Sequence, residues 1–338
     1  MKTYSNRDLL KIVDDVLKGG ITEVSDLGTA ILQPTKFDKF VRVVQEKTVV
    51  VPEARYIKME THRVDIDRIA FIGRILDSLK DASGNTRELE TSEFAKPTIN
   101  TNRLDSEDFQ AIASIRDETL RKNIEKGGFE DTLIALFGEA AGRDLEEFFL
   151  LADTDMSYAQ DHVLSKTDGW IKLAANAVYG VGASKDFDPA GATYPENMFE
   201  AMLDALPKQY LGSRTDWRFY VVYSVEKAWR TLLKARKTAL GDTFTTKAVP
   251  LAFEGIPIVR VPMLERAKTT ALGGPGVVCM LENPDNMAWG IFLEVGMERE
   301  REAKLHRTDF VLTVEGDSDY EDENAAVVAY IEKENPVS

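Results

Sequence analysis

Residues 48–71, TVVVPEARYIKMETHRVDIDRIAF, and residues 93–105, EFAKPTINTNRLD, decide how this chain is read. The first stretch is rich in β-branched residues, and Val64 with Ile66, then Ile69 with Phe71, fall on alternating positions. That spacing marks strands that show one face to a core and the other to water. DASGNTRE (81–88) has turn chemistry, and EFAKPTINTN (93–102) reads as a returning strand interrupted by Pro97. Residues 48–105 thus read as one long β-hairpin. It is basic along its length, through Arg55, Lys58, Arg63, Arg68, Arg74, Lys80, Arg87, Lys96 and Arg103. A two-stranded ribbon is marginal in water by itself, so this one is expected to lie against something else.

Upstream, residues 5–18 place Leu9, Leu10, Val13, Val16 and Leu17 on one face of a helix, with Ser5 or Asn6 as a cap and Gly19-Gly20 as the stop. A second short helix is expected after Pro34, with Phe37, Phe40, Val41 and Val44 on one face. These apolar faces precede any recognisable core, so they need a home on the body or on a neighbouring chain.

Downstream, RDETLRKNI (116–124) reads as a short helix. FEDTLIALFGEAAGRDLEEFFLLAD (129–153) is the strongest helix, with Leu133, Phe137, Ala140, Ala141, Leu145 and Phe148 at spacings of three and four. Its length approaches about 35 Å. DGWIKLAANAVYG (168–180) is expected as another short helix, and SKDFDPAGATYP (184–195) as a linker. Helices are expected over 197–211 and 225–237. Strands are expected at 216–224, in 248–264 on either side of a turn at Glu254-Gly255, at 276–281 and 287–295, through 297–314, and at 325–331. The class is α+β, without an internal repeat.

Composition narrows the function. The 338 residues allow roughly two domain-sized units. A net charge of −15 argues against a protein that grips nucleic acid by neutralising phosphates. Cys279 is the single cysteine, so no internal disulfide can form, which fits a reducing cytoplasm. No secretory leader and no membrane-length apolar run is read.

The order of parts resembles the major capsid proteins of tailed phages with the Hong Kong 97-like fold. EGIPIVRVPML (254–264) resembles that family's strand–turn–strand, and residues 279–331 resemble its closing strands. The resemblance implies an N-terminal arm (1–47), an extended hairpin or E-loop (48–105) and a spine helix (129–152). It further implies an axial domain (190–285) and a peripheral domain made of 106–189 and 286–338. It implies a self-assembling subunit of pentamers and hexamers in an icosahedral virion shell, assembled in the host cytoplasm. That shell would enclose double-stranded DNA without reading its sequence. It implies no enzyme activity and no cofactor. Some members carry a scaffolding domain ahead of the arm; here 47 residues precede the hairpin, so a separate scaffolding protein is expected if one is needed. Portal and decoration proteins are further possible partners, and no membrane is expected. Some members also join Asn to Lys between subunits; Lys80 and Asn324 could be imagined in those roles, but no motif supports the pair and ordinary exposed loop residues are the favoured reading. Two other readings fit less of the chain: an encapsulin-like compartment, and a soluble enzyme with an unrecognised site.

Catalytic motifs are missing: there is no GxxxxGK[ST], GxSxG or HExxH. YGVGASK (179–185) lacks the third glycine of a dinucleotide loop. His62, His162 and His306 are far apart in sequence, and Cys279 sits in an apolar run expected to bury an inert thiol. Two acidic stretches, 152–162 and 315–324, read as solvated loops, as cation loops or as contacts for the basic hairpin. The favoured expectation is a contact between subunits. It pairs Arg55, Arg63, Arg68, Arg74, Lys80 and Arg87 with Asp317, Asp319, Glu321 and Asp322, since complementary charge sets register and partner choice.

Overall fold

A computed structural model of the chain describes residues 48–71, 97–116, 129–235, 250–268, 278–292 and 296–334, with positions 76–78, 80, 85, 86, 88 and 94 between the hairpin strands. The helices expected at 5–18 and after Pro34, and residues 117–124 of the next one, lie outside the described residues.

The hairpin is shorter than expected. Strands β1 (Arg55–Met59), β2 (Arg63–Phe71) and β3 (Pro97–Asp105) all form, but only β2 and β3 pair with each other, antiparallel from Arg63↔Asp105 to Phe71↔Pro97. β1 instead runs parallel to a body strand. The reason lies in the VVV run before it: Val50 and Val51 are fully buried, and a continuous apolar run suits an interior rather than a half-wet ribbon. The turn they form is pinned to a helix, where the Glu146 side chain accepts the N–H groups of Val49 and Val50, each at 2.7 Å.

After β3 comes β4 (Glu107–Arg116), a strand the sequence reading passed over. Helix α1 (Phe129–Leu151) follows, and its C-terminal turns bury Leu145, Phe148, Phe149 and Leu150. Helix α2 is only Trp170–Leu173, and β5 (Asn176–Val181) replaces the expected rest of that helix. Val178 and Gly180 are the inward positions of β5, a period of two. Gly180 is needed there, because a Cβ would lie 2.8 Å from the Ile331 carbonyl oxygen and 2.7 Å from the Pro189 ring.

The remaining elements are α3 (Glu196–Ala205), β6 (Arg218–Val221), α4 (Tyr223–Ala235), β7 (Ala252–Phe253), β8 (Ile256–Arg260), β9 (Val278–Glu282), β10 (Met287–Phe292), β11 (Gly296–Glu302), β12 (Arg307–Tyr320) and β13 (Val327–Glu334). The expected turn between β7 and β8 is present, with Glu254 and Gly255 at φ of 48° and 89°. Two positive φ values are what a two-residue hairpin turn requires.

Two sheets organise these parts. A six-stranded sheet has the order β5-β13-β9-β6-β8-β7. Its face is packed by α3 and α4 through Phe199, Trp229, Phe219 and Phe253, whose rings stand 4.7 to 6.2 Å apart. A five-stranded sheet has the order β1-β10-β12-β11, with β4 also on β12. α1 packs against it through Phe148, which meets Phe109 of β4 edge-to-face at 4.6 Å. One continuous apolar core joins the two sheets.

The expected division of the chain differs from this topology. β5 and β13, read as peripheral, lie in the same sheet as β6, β8 and β9. An apolar strand such as VVAYI announces burial but not which sheet will accept it.

Candidate assembly site at the root of the hairpin

β12 is the element that builds the site. Its residues 307–316 pair with β4 and 307–313 pair with β11, while 316–320 pair with β10. Even-numbered residues from Thr308 to Tyr320 are buried in the core. The odd-numbered Asp317 and Asp319 therefore leave by the opposite face, where the hairpin root sits. The acidic stretch 315–324, for which a solvated loop, a cation loop and a hairpin contact are the readings above, is strand through Tyr320, and its alternation is strand alternation.

Asp317 and Asp319 complete the free edge of β3. The Asp105 N–H donates to Asp317 Oδ2 at 2.8 Å, and the Arg103 N–H donates to Asp319 Oδ2 at 3.2 Å. Two carboxylates spaced by two residues thus meet two N–H groups spaced by two residues, taking the place of a neighbouring strand. Asn102 Nδ2 adds a bond to the Tyr320 carbonyl at 2.6 Å. Burial pushes the Asp317 carboxyl up to about 7 and Asp319 up to about 6, with the N–H donors only partly offsetting it.

Asp322 is the second tie. Its side chain takes an ion pair from Arg68 of β2, a hydrogen bond from Tyr210 Oη at 2.5 Å and one from the Asn324 N–H at 3.2 Å. Asn286 fixes its backbone in both directions, accepting the Asp322 N–H at 2.8 Å and donating to the Asp322 carbonyl at 3.0 Å. A small apolar cluster of Met59, Ile66, Leu104 and Ala288 closes the root.

The predicted contact residues within the described part of the chain can now be placed. Arg55 pairs with Glu321 at 2.8 Å and Arg68 with Asp322, both within one chain. Arg63 pairs across the ribbon with Asp105 at 2.9 Å, as Arg103 does with Asp65 at 2.6 Å. Asp317 and Asp322 are buried, so they do not present a face to a neighbour. The basic ribbon and acidic strand do meet, but the contact found is intramolecular, because β12 runs directly beneath β3. Lys80 is exposed near the hairpin end, bridged to Thr86. Arg74 and Arg87 lie outside the described residues. The sequence reading missed Tyr210, Asn286 and Asn102, neutral residues with no charge pattern to flag them.

Elsewhere, Asp153 and Asp155 of the other acidic stretch pair with Lys172, and Asp161 caps the N–H groups of Val163 and Leu164. Among the described residues no group of three or more His, Cys, Asp or Glu is placed to hold a metal ion. Cys279 is buried, and burial pushes its thiol up to about 12, so thiolate is scarce. No described helix is long and apolar enough to cross a membrane.

A spine helix against one sheet, a second sheet with two helices, and a ribbon rooted on β12 make up the Hong Kong 97-like capsid fold. The solved chains that share this fold with it are phage and GTA capsids. The sequence of this chain is 28% identical over 299 residues to YqbE of Bacillus subtilis (strain 168), which is described provisionally as a prophage capsid protein; the match spans 87% of this chain and 90% of that one. No protein-family profile matches the chain. In structure it resembles a chain of the satellite phage P4 procapsid, with a TM-score of 0.63 and 14% identity over 99% of this chain and 100% of that one. It also resembles the capsid of an empty GTA particle, with a TM-score of 0.57 and 13% identity over 84% and 89%. Mycobacterium phage Che8 gives a TM-score of 0.54 and 12% identity over 85% and 92%.

Proposed function

We propose that the chain is the major capsid subunit of a tailed phage or prophage, a structural protein that closes into pentamers and hexamers of an icosahedral shell. The observation that carries this reading is the ribbon itself. Its root is buried at Ile66 and Leu104, while further out Leu76 and Phe94 are 76% and 54% exposed. Apolar side chains held away from their own body gain burial only against another copy. Heterologous contacts that close into rings supply such copies at every position, and shell contacts of this kind fall in the obligate range of about 2,000 Å² or more.

In this reading residues 1–47 are the arm, the ribbon of β2 and β3 overlaps a neighbour, and the six-stranded sheet forms the axial part that meets its mates at the ring centre. The distal basic residues Lys80, Arg74 and Arg87 are the remaining candidates for inter-subunit charge contacts, since the root arginines are matched internally. The subunit performs no chemistry. Assembly takes place in the host cytoplasm, with a separate scaffolding protein, portal or decoration protein as partners, and the acidic net charge keeps the wall from holding packaged DNA tightly.

The test is direct. Purified protein is passed over size exclusion and viewed by negative stain. Closed particles tens of nanometres wide support the reading, and DNA within them separates a phage shell from an encapsulin-like compartment. A monomer at high concentration, with scaffold co-expressed, overturns it.

A further inference from the structure

Glu282, the last residue of β9, and Tyr320, the last residue of β12, are both fully buried where the two sheets meet. The Tyr320 phenol oxygen lies 2.9 Å from Glu282 Oε1 and 2.9 Å from the carbonyl oxygen of Trp170 in α2. A phenol carries one hydrogen, and a carbonyl has none to give. When that hydrogen goes to the Trp170 carbonyl, the contact with Glu282 must take its hydrogen from the carboxyl group. The second carboxyl oxygen, Oε2, is buried without a hydrogen-bond partner, a costly setting for a negative charge and a tolerable one for a neutral acid.

Among the described residues no cation is placed to compensate such a charge. On β6, Tyr220 faces Glu282 and donates to Glu53 at 2.7 Å. Arg218, opposite Glu282 in the β6–β9 register, gives its guanidinium to the carbonyls of Thr215 and Trp217 and lies 3.7 Å from Glu53. Tyr330 and Asp319 stand on the Tyr320 side.

We propose that Glu282 is a neutral carboxylic acid that bolts the six-stranded sheet to the five-stranded one through Tyr320, so that parting the two sheets frees a proton. Burial holds the Glu282 carboxyl well above the usual carboxylate range, in agreement with the geometry. The bolt's contribution is complete in acid, where Glu282 is protonated folded or unfolded, and is lost as pH rises through the folded-state value. The proposal concerns each chain alone and stands or falls apart from shell assembly.

Infrared difference spectroscopy, wild type minus each variant, tests it on the full chain at neutral pH, where the Asp317 and Asp319 signals are common to both spectra and cancel. Wild type should show the C=O stretch of a protonated carboxyl that Glu282→Gln removes and Tyr320→Phe shifts. Glu282→Gln keeps a neutral N–H donor toward Tyr320, so it should fold and should melt with a shallower loss of stability toward alkaline pH than wild type. If Glu282→Gln fails to fold, the Tyr320→Phe shift decides. An ionised Glu282 would overturn the proposal: no protonated band that responds to either substitution, and an unchanged pH slope.

Discussion

The carboxylate of Asp317 accepts the backbone N–H of Asp105 at 2.8 Å, joining residues 212 apart in sequence. A side chain here takes the place of a strand for a half-buried amide. Asp317→Ala should cost about 1 kcal/mol, the net worth of a hydrogen bond. Asp317→Asn, which keeps one acceptor oxygen, should cost less. Thermal melting gives the totals. Hydrogen exchange at the Asp105 amide, faster in Asp317→Ala and near wild type in Asp317→Asn, assigns the loss to this contact.

The same carboxylate sets a pH dependence. Folded, Asp317 keeps its proton up to about 7, against a usual value of 3.8. Between those values the folded chain binds more protons than the unfolded one, so stability falls as pH rises through that window. Asp319, held up to about 6, adds to the slope in the same direction. Stability measured by urea titration should therefore be higher at pH 4.5 than at pH 7.5, and Asp317→Asn should flatten the difference. A wild type that gains stability over this range would contradict the sign.

Arg68 and Arg63 look alike in the sequence and should behave differently. Arg68→Glu sets a carboxylate against the buried Asp322 and should lower subunit stability by about 1–3 kcal/mol, with earlier proteolysis in the ribbon. Arg63 is exposed and pairs only with the exposed Asp105, so Arg63→Glu should leave melting within about 0.5 kcal/mol of wild type. Arg63→Glu is thus the clean probe of an inter-subunit role. A fall in particle yield with normal melting would establish one, and normal yield would remove Arg63 from the candidates.

Gly290 of β10 is a point of close approach between β1 and the body, opposite Ile57. A Cβ there would stand 2.6 Å from Met59 Sδ and 2.8 Å from Met59 Cγ. Met59 is fully buried in the cluster that closes the hairpin root, so it has little room to yield. Gly290→Ala should cost about 1–3 kcal/mol, as overpacking does. Gly212→Ala, with nothing within 4 Å of its Cβ, serves as the neutral control in the same melting series.

Much of the fold was legible in residue periodicity. The alternation in β2, the three-and-four spacing of α1 and the turn chemistry of Glu254-Gly255 each announced their element, because each depends on local geometry. What stayed hidden depended on partners. Nothing local in YIKM says that β1 runs parallel to β10. The alternation in DFQAIASI is weak because Ile112 stands on the exposed face of β4 and Ala111 and Ala113 interrupt Phe109 and Ile115 on the other. DSDY reads as a loop because strands seldom carry two acids in three positions, and only the N–H groups of β3 above them make those acids acceptable. The charge complementarity of ribbon and acidic strand was visible too, but charge does not say whether its partner belongs to the same chain.

β12 alternates without interruption over its first ten residues, with Phe310, Leu312 and Val314 inward and Asp309 and Glu315 on the other side. A slip of one position would reverse every side chain, thrusting Asp317 and Asp319 into the interior and stripping the ribbon of its anchor. Misthreaded molecules are thereby marked at birth: they carry a detached ribbon and solvent-facing aromatics, and fail before they can be built into anything. In the proposed shell of many identical copies, where one defective tile spoils its neighbours, this strand would act as its own inspector.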